Sequence, residues 1–282
     1  MTMPFAAISS FEGAGPGQHM QRAQGHSRIA FRTESGQTRL ANLFQEGACK
    51  IRLPKTEAGA PPLAVLINSA GGLTGGDRLS VEAQVGEGGH AVITSQACER
   101  VYRSAGGAAH FDASIKVGPG ARLDWLPQET ILFDHARLAR RLTADLAGNA
   151  RLLAVESVIF GRTSMGESVT QGSFCDRWRI RRDGRLLFAD DVRFNGPIAE
   201  LLGHASVLAG GCAMATVLYA GEDAEEHAGG LRAALGEAGA ASAWEGKLVA
   251  RIAAADGQAL RAVLVKALGL LSGTPLPRMW HC

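Results

Sequence analysis

"NSAGGLTGGDRLSVEAQV", residues 68–85, poses the first question about this chain. Gly71, Gly72, Gly75 and Gly76 fall within six positions, with Asp77 and Arg78 directly behind them. A phosphate-binding loop would place such glycines between a strand and a helix, so that the first N–H groups of the helix face the anion. Here Leu79, Val81, Ala83 and Val85 follow at a period of two, the pattern of a half-buried strand. No Gly-Lys-Ser/Thr step supplies the lysine and hydroxyl that a nucleotide needs. The stretch predicts a turn between two strands, its glycines supplying positive φ and Asp77 bonding nearby backbone.

The same rhythm runs outward. "HAVITSQA" (90–97), "HFDASIKV" (110–117) and "ARLDWLPQETILF" (121–133) read as strands, with "GEGG", "SAGGA" and "GPG" as turns. Residues 176–194, "DRWRIRRDGRLLFADDVRF", read as a hairpin about Asp183-Gly184. Its first arm alternates Trp178 and Ile180 with Arg177, Arg179 and Arg181, a solvated or protein-contact face rather than a nucleic-acid site, Arg and Trp being enriched at contact hot spots. "CAMATVLYA" (212–220) and "GKLVARIAA" (246–254) add strands. Two segments change period: 223–238 opens with an acidic first turn, and 256–271 starts at an Asp256 cap and carries a leucine stripe. Many short strands with two late helices predict a mainly β protein. No repeat of 20–50 residues marks a familiar solenoid. Residues 1–27, rich in Gly, Gln and Ser and without periodicity, read as a flexible tail ahead of one domain, 28–282.

The totals narrow the function. The chain has 282 residues, 46% hydrophobic and 20% charged, with a formal net charge of +2 from 29 basic and 27 acidic side chains, which gives no nucleic-acid footprint. Five scattered cysteines without a C-x-x-C pair fit a reduced compartment and no zinc site. Neither a signal sequence nor a run of 18 apolar residues is present, so the expected location is the cytoplasm, with no membrane contact.

"LINSAGGLTGGDRL" (66–79), "AVITSQACERVYRS" (91–104), "GARLDWLPQETILFDHARL" (120–138), "VESVIFGRTSMGE" (155–167) and "LPRMWHC" (276–282) occur in this order, and together they resemble the UreD/UreH family of urease accessory proteins. The resemblance spans residues 28–282; Cys98 stands where a small residue such as Ala is expected. It implies a helically wound β-sheet fold and a non-catalytic maturation factor. Such a factor binds UreF, which recruits the GTPase UreG, and the assembly docks on apo-urease. It then supports nickel(II) delivery through an internal passage, with no tightly bound cofactor.

A wet passage needs oxygen donors and small polar groups that hold a divalent ion weakly. Carboxylates in apolar stretches are the first candidates, because burying one is costly unless it is hydrated or paired. Glu129, Glu156 and Asp134 qualify, with Thr94 and Ser95 adding hydroxyls and Met165 a thioether. His281 and Cys282 form the only adjacent His/Cys pair. The first six could equally be outward residues of alternating strands, and the His281-Cys282 pair a solvated C-terminal end. Two other readings stay open: a hydrolase with Cys98 as nucleophile, which needs a neighbouring base, and a nucleotide-binding module. The last helix and residues 276–282 are the candidate contacts for UreF.

Overall fold

The computed structural model describes residues 22–162 and 166–281. It starts with β1 (Gln24–Glu34), β2 (Gln37–Gly47), β3 (Cys49–Arg52), β4 (Leu63–Asn68), β5 (Arg78–Val85) and β6 (His90–Ser95). The winding continues through β7 (Glu99–Val101), β8 (Ala109–Val117), β9 (Arg122–Leu126), β10 (Thr130–Leu132), β11 (Arg137–Leu146) and β12 (Arg151–Phe160). A long hairpin of β13 (Gly172–Arg182) and β14 (Arg185–Gly196) turns at Asp183 and Gly184, both at positive φ. Then come α1 (Ile198–Gly203), β15 (Ala213–Ala220), α2 (Ala228–Leu235), β16 (Gly239–Trp244), β17 (Lys247–Ala254) and α3 (Gly257–Ser272).

Successive strands pass between two sheets. One runs β14-β13-β11-β8-β5-β1-β2; the other runs β16-β17-β15-β12-β9-β6-β4-β3, with β7 and β10 at its side. In the first sheet β5, β8, β11 and β13 stack in parallel, so the chain advances one strand per coil in the manner of a β-solenoid. Arg78 lies beside His110, His110 beside Ala139, and Ala139 beside Cys175. The offset differs at each step, which is why no fixed period appears in the sequence.

Burial explains the two kinds of strand. Between the sheets Val81, Ile115, Leu142 and Trp178 face Ile93, Trp125 and Leu152. The outer side of the second sheet is covered as well: Val92, Leu153 and Val155 share a cluster with Leu231 of α2 and Leu260, Leu264 and Leu268 of α3. β12, covered on both faces, is therefore an almost unbroken apolar run. The first sheet has a bare outer face, so β11 alternates buried and accessible residues along its length.

Most expected elements are present, and the departures have physical causes. Residues 121–133 divide at Pro127, which has no N–H for the ladder. β12 bridges the gap by pairing first with β9 and then with β10, leaving Gln128 and Glu129 looped out. The helix expected over 223–238 contracts to α2, because Asp223 instead accepts a hydrogen bond from the Tyr219 hydroxyl at 2.8 Å. α3 begins where expected: Asp256 Oδ1 caps Ala259 N–H at 2.8 Å, and Gly273 ends it in the left-handed region. α1 was not anticipated. β1 starts at Gln24, inside the stretch assigned to the tail, with Ser27 buried in it; residues 1–21 lie outside the described residues. Among the described residues no helix is long and apolar enough to cross a membrane.

Candidate functional site

The glycine loop between β4 and β5 is committed to the protein's own backbone. Leu73 N–H donates to Arg100 O and Tyr102 N–H to Leu73 O, both at 2.7 Å, and Gly76 N–H donates to Ala108 O at 3.0 Å. Asp77 fastens it: Oδ1 accepts from Ala23 N–H and Oδ2 from Thr74 N–H, each at 2.8 Å. Gly72 has φ of +144°, and a Cβ there would stand 2.9 Å from Arg100 O. The N–H groups of Gly71, Leu73, Thr74 and Gly76 are taken up by the protein itself, and a strand rather than a helix follows, so the turn reading holds.

Gly71, Gly72 and Leu73 form one wall of a cavity of about 290 Å³ between the sheets. Asn68, Cys98 and Glu99 border it on the loop side; Ser95, Gln128 and Thr130 continue it inward to Arg140 and Glu156. Glu99 takes a hydrogen bond from Asn68 Nδ2 at 3.1 Å, and burial pushes its carboxyl up to about 7.

Deepest lies a buried ion cluster. Arg140 of β11 contacts Glu156 of β12 at 2.6 Å and Asp176 of β13 at 2.7 Å, and it donates to Thr130 Oγ1 at 3.1 Å. Trp125 Nε1 donates to Glu156 at 3.0 Å and Trp178 Nε1 to Asp176 at 3.3 Å. Burial works against the charge of Arg140, but the two carboxylates outweigh it and hold its pKa above the ordinary value. One positive charge cannot fully compensate two buried carboxylates. Burial accordingly raises Glu156 to about 7, with Arg140 opposing. Among the described residues, Arg140 Nε, Gln128 Nε2 and Ser27 Oγ are buried without a hydrogen-bond partner, and all three residues border the cavity.

Of the candidates read from sequence, Glu156 and Ser95 border this cavity. Ser95 Oγ donates to Ala97 O at 3.0 Å and accepts from Gln128 N–H at 2.8 Å. Thr94 is turned into the fold, its hydroxyl on Leu126 O at 2.6 Å. Glu129, 1% exposed, is neutralised by Arg261 of α3, whose Nε lies 3.1 Å from Oε1. Asp134 accepts from Thr170 N–H at 2.7 Å and Gln171 N–H at 3.2 Å; burial raises its pKa, but these bonds hold it below the ordinary carboxylate value. His281 is exposed just beyond a short turn of helix. Met165 and Cys282 lie outside the described residues. Among the described residues, no three His, Cys, Asp or Glu side chains converge into a metal-holding group.

Cys98 is not built as a nucleophile. Its thiol donates to Glu129 Oε2 at 3.5 Å, and burial together with that negative charge pushes it up to about 11, so it stays protonated at neutral pH. His90 lies at the opposite end of β6, engaged with Asp124 at 3.3 Å. The C-terminal elements assigned to UreF also have internal duties. The leucine stripe of α3 is buried on the second sheet, and Trp280, 1% exposed, donates to Leu126 O at 3.2 Å. Trp178 is fully buried, which removes it from any contact face.

Sequence reasoning missed Glu99, Arg140 and Asp176. The signal was present for two of them: Leu138-Arg140-Leu142 and Phe174-Asp176-Trp178 put a charge in the inward phase of an alternating strand. An inward charge implies an inward partner, and the two are ion-paired to each other.

The UreD urease accessory protein family matches residues 23–281. A protein of Rhizobium leguminosarum bv. trifolii named urease accessory protein UreD is 50% identical over 270 residues, covering 95% of the chain and 98% of the relative. One of Agrobacterium fabrum with the same name is 50% identical over 274 residues, 97% of the chain and 96% of the relative. Urease accessory protein UreD 1 of Brucella melitensis is 45% identical over 269 residues, 94% and 96% of the two chains.

Proposed function

Because the chain belongs to the UreD urease accessory protein family, its role lies in urease maturation, and we propose that it acts there as a scaffold and metal passage. In this reading it joins UreF and the GTPase UreG, docks on apo-urease, and lets nickel(II) travel through its interior to the urease active site. It works in the cytoplasm and catalyses no reaction of its own. The observation that carries the reading is the cavity between the sheets, whose mainly apolar wall is interrupted by a few polar groups, the Glu99 and Glu156 carboxyls among them.

The chemistry suits transit. Buried polar atoms take hydrogen-bond partners, so donors such as Arg140 Nε and Gln128 Nε2 favour a hydrated interior. The side-chain oxygens of Ser95, Thr130, Asn68 and the two carboxyls offer hard ligands, which hold nickel(II) less firmly than thiolate or imidazole would. Both carboxyls are raised to about 7, so near neutral pH each is divided between protonated and ionised forms. An arriving dication exchanges for the proton, and the returning proton helps to expel it.

The test uses Glu99→Gln and Glu156→Gln, separately and together, and Ser95→Trp as an obstruction. Each variant is co-expressed with UreF, UreG and urease; assembly is measured by pull-down and nickel per urease site by elemental analysis. The expected result is intact assemblies whose urease holds several-fold less nickel. Normal loading in assembled variants would overturn the passage, and so would loss of assembly in every defective variant. Thr94→Trp is no test of obstruction, since that side chain faces packed backbone.

A further inference from the structure

The outer face of the first sheet carries more arginines than the carboxylates of the fold can match. Arg137 and Arg141 on β11, Arg177, Arg179 and Arg181 on β13, and Arg193 on β14 all point away from the core, because Leu138, Leu142, Phe174, Trp178 and Ile180 occupy the inward phase. Against these six guanidiniums the same face offers Asp112, Asp145 and Asp191. Asp191 serves three of them: Arg177 at 2.7 Å, Arg179 at 2.5 Å and Arg193 at 3.3 Å. Those hydrogen bonds hold its carboxyl well below the ordinary range. Arg137 and Arg181 have no ion-pair partner among the described residues. The far edge of the same sheet differs, with Arg28 matched to Glu82 and Arg32 to Glu34.

Apolar surface accompanies the charge. Leu186, 57% exposed, stands opposite Arg181 in the hairpin register, and β14 is the terminal strand of its sheet. From Arg137 to the level of Arg181 the face runs eight residues, about 27 Å at about 3.4 Å per residue. Across β11, β13 and β14 it spans about 15 Å at about 4.8 Å per strand, so the patch covers about 400 Å², about half of what one partner contributes to a standard interface. Guanidinium forks match carboxylates in pairs, and their weak hydration lowers the cost of burying them at a contact.

We propose that this face, formed by β11, β13 and β14, is a docking surface for a carboxylate-rich protein surface within the maturation assembly. The inference rests on the maturation reading above. A continuous polyanion such as duplex DNA fits less well: three carboxylates interrupt the face, no aromatic side chain lies on it for base stacking, and the whole chain carries only +2.

The test is the double charge reversal Arg137→Glu with Arg181→Glu, which breaks no intramolecular ion pair. Arg32→Glu with Arg39→Glu, cross-strand neighbours at the opposite edge, makes the same change in net charge as a control. Binding of the full chain to apo-urease and to UreF is measured separately, at about 0.05 M and about 0.3 M salt, where the Debye length falls from about 14 Å to about 6 Å. A short DNA duplex is the third probe, and thermal unfolding verifies the fold. The expected result is at least tenfold weaker binding to one of the two proteins. The other affinity and the melting temperature stay unchanged, the control matches wild type, and salt weakens wild type far more than the variant. Wild-type affinity of the variant for both proteins overturns the proposal, as does an equal loss in the control or a response confined to DNA. If the wild-type chain binds neither protein, the maturation reading itself fails, an outcome distinct from these.

Discussion

Replacing Glu156 by Gln should flatten the dependence of stability on pH, and the structure gives the size. The carboxyl is raised from 4.5 to about 7, chiefly by burial, with Arg140 opposing. Between those values the native chain holds a proton that the unfolded chain has released, so stability is full below the unfolded value and falls as pH rises towards the folded one. A shift of this size corresponds to roughly 3 kcal/mol at about 1.4 kcal/mol per unit, of which about 2 kcal/mol falls between about pH 5 and about pH 7.5. Gln does not titrate and keeps an acceptor for Trp125 Nε1. The variant and wild type should therefore match near pH 5 and diverge above it, with the variant the more stable by about 2 kcal/mol near pH 7.5. Glu99, raised to about 7 by its own burial, leaves a residual slope of the same sign in both proteins. Urea denaturation at a series of pH values, followed by tryptophan fluorescence, reads the difference, since Trp125 lies on the altered group. Arg140→Met is the comparator: it strands Glu156 and Asp176 without their cation and should cost about 3–5 kcal/mol. Parallel stability curves for wild type and Glu156→Gln would refute the reasoning, because the proton would then reside elsewhere.

Gly72→Ala should cost about 1–3 kcal/mol, since φ of +144° and the approach to Arg100 O leave no room for a Cβ. Gly71→Ala, with φ of +79° and nothing within 4 Å, should cost about 1 kcal/mol; equal melting temperatures for the two would contradict the packing argument. Arg261→Met leaves Glu129 buried and unpaired and should destabilise by about 3 kcal/mol. Adding Glu129→Gln removes the stranded charge and should recover much of that loss in the same denaturation assay, whereas additive losses would argue that Arg261 acts through packing on Trp280.

What the sequence disclosed and what it withheld divide along one physical line. A strand covered on one face prints its burial at a period of two, so β5, β8 and the β13–β14 hairpin were legible residue by residue. β12 is covered on both faces, and a continuous apolar run carries no phase. The carboxylate of Glu156 stood out there as a lone acid among apolar neighbours, and its position on the cavity follows. Glu129 stood out for the same reason and ended elsewhere, because Pro127 breaks the strand and rotates the next two residues towards α3. Its partner Arg261 is 132 positions away, on a helix whose leucine stripe drew attention to the other side. Arg140 and Asp176 were hidden by their neighbours: each lies in an arginine-rich stretch whose outward members suggested a surface. Counting phase along those strands separates the two populations. Inward charges must find each other across the coil and build the buried cluster, while outward ones have only three carboxylates to share. The same alternation that closes the core therefore leaves an unsatisfied cationic face on the other side of the sheet, and a partner's carboxylates are the groups best suited to complete it.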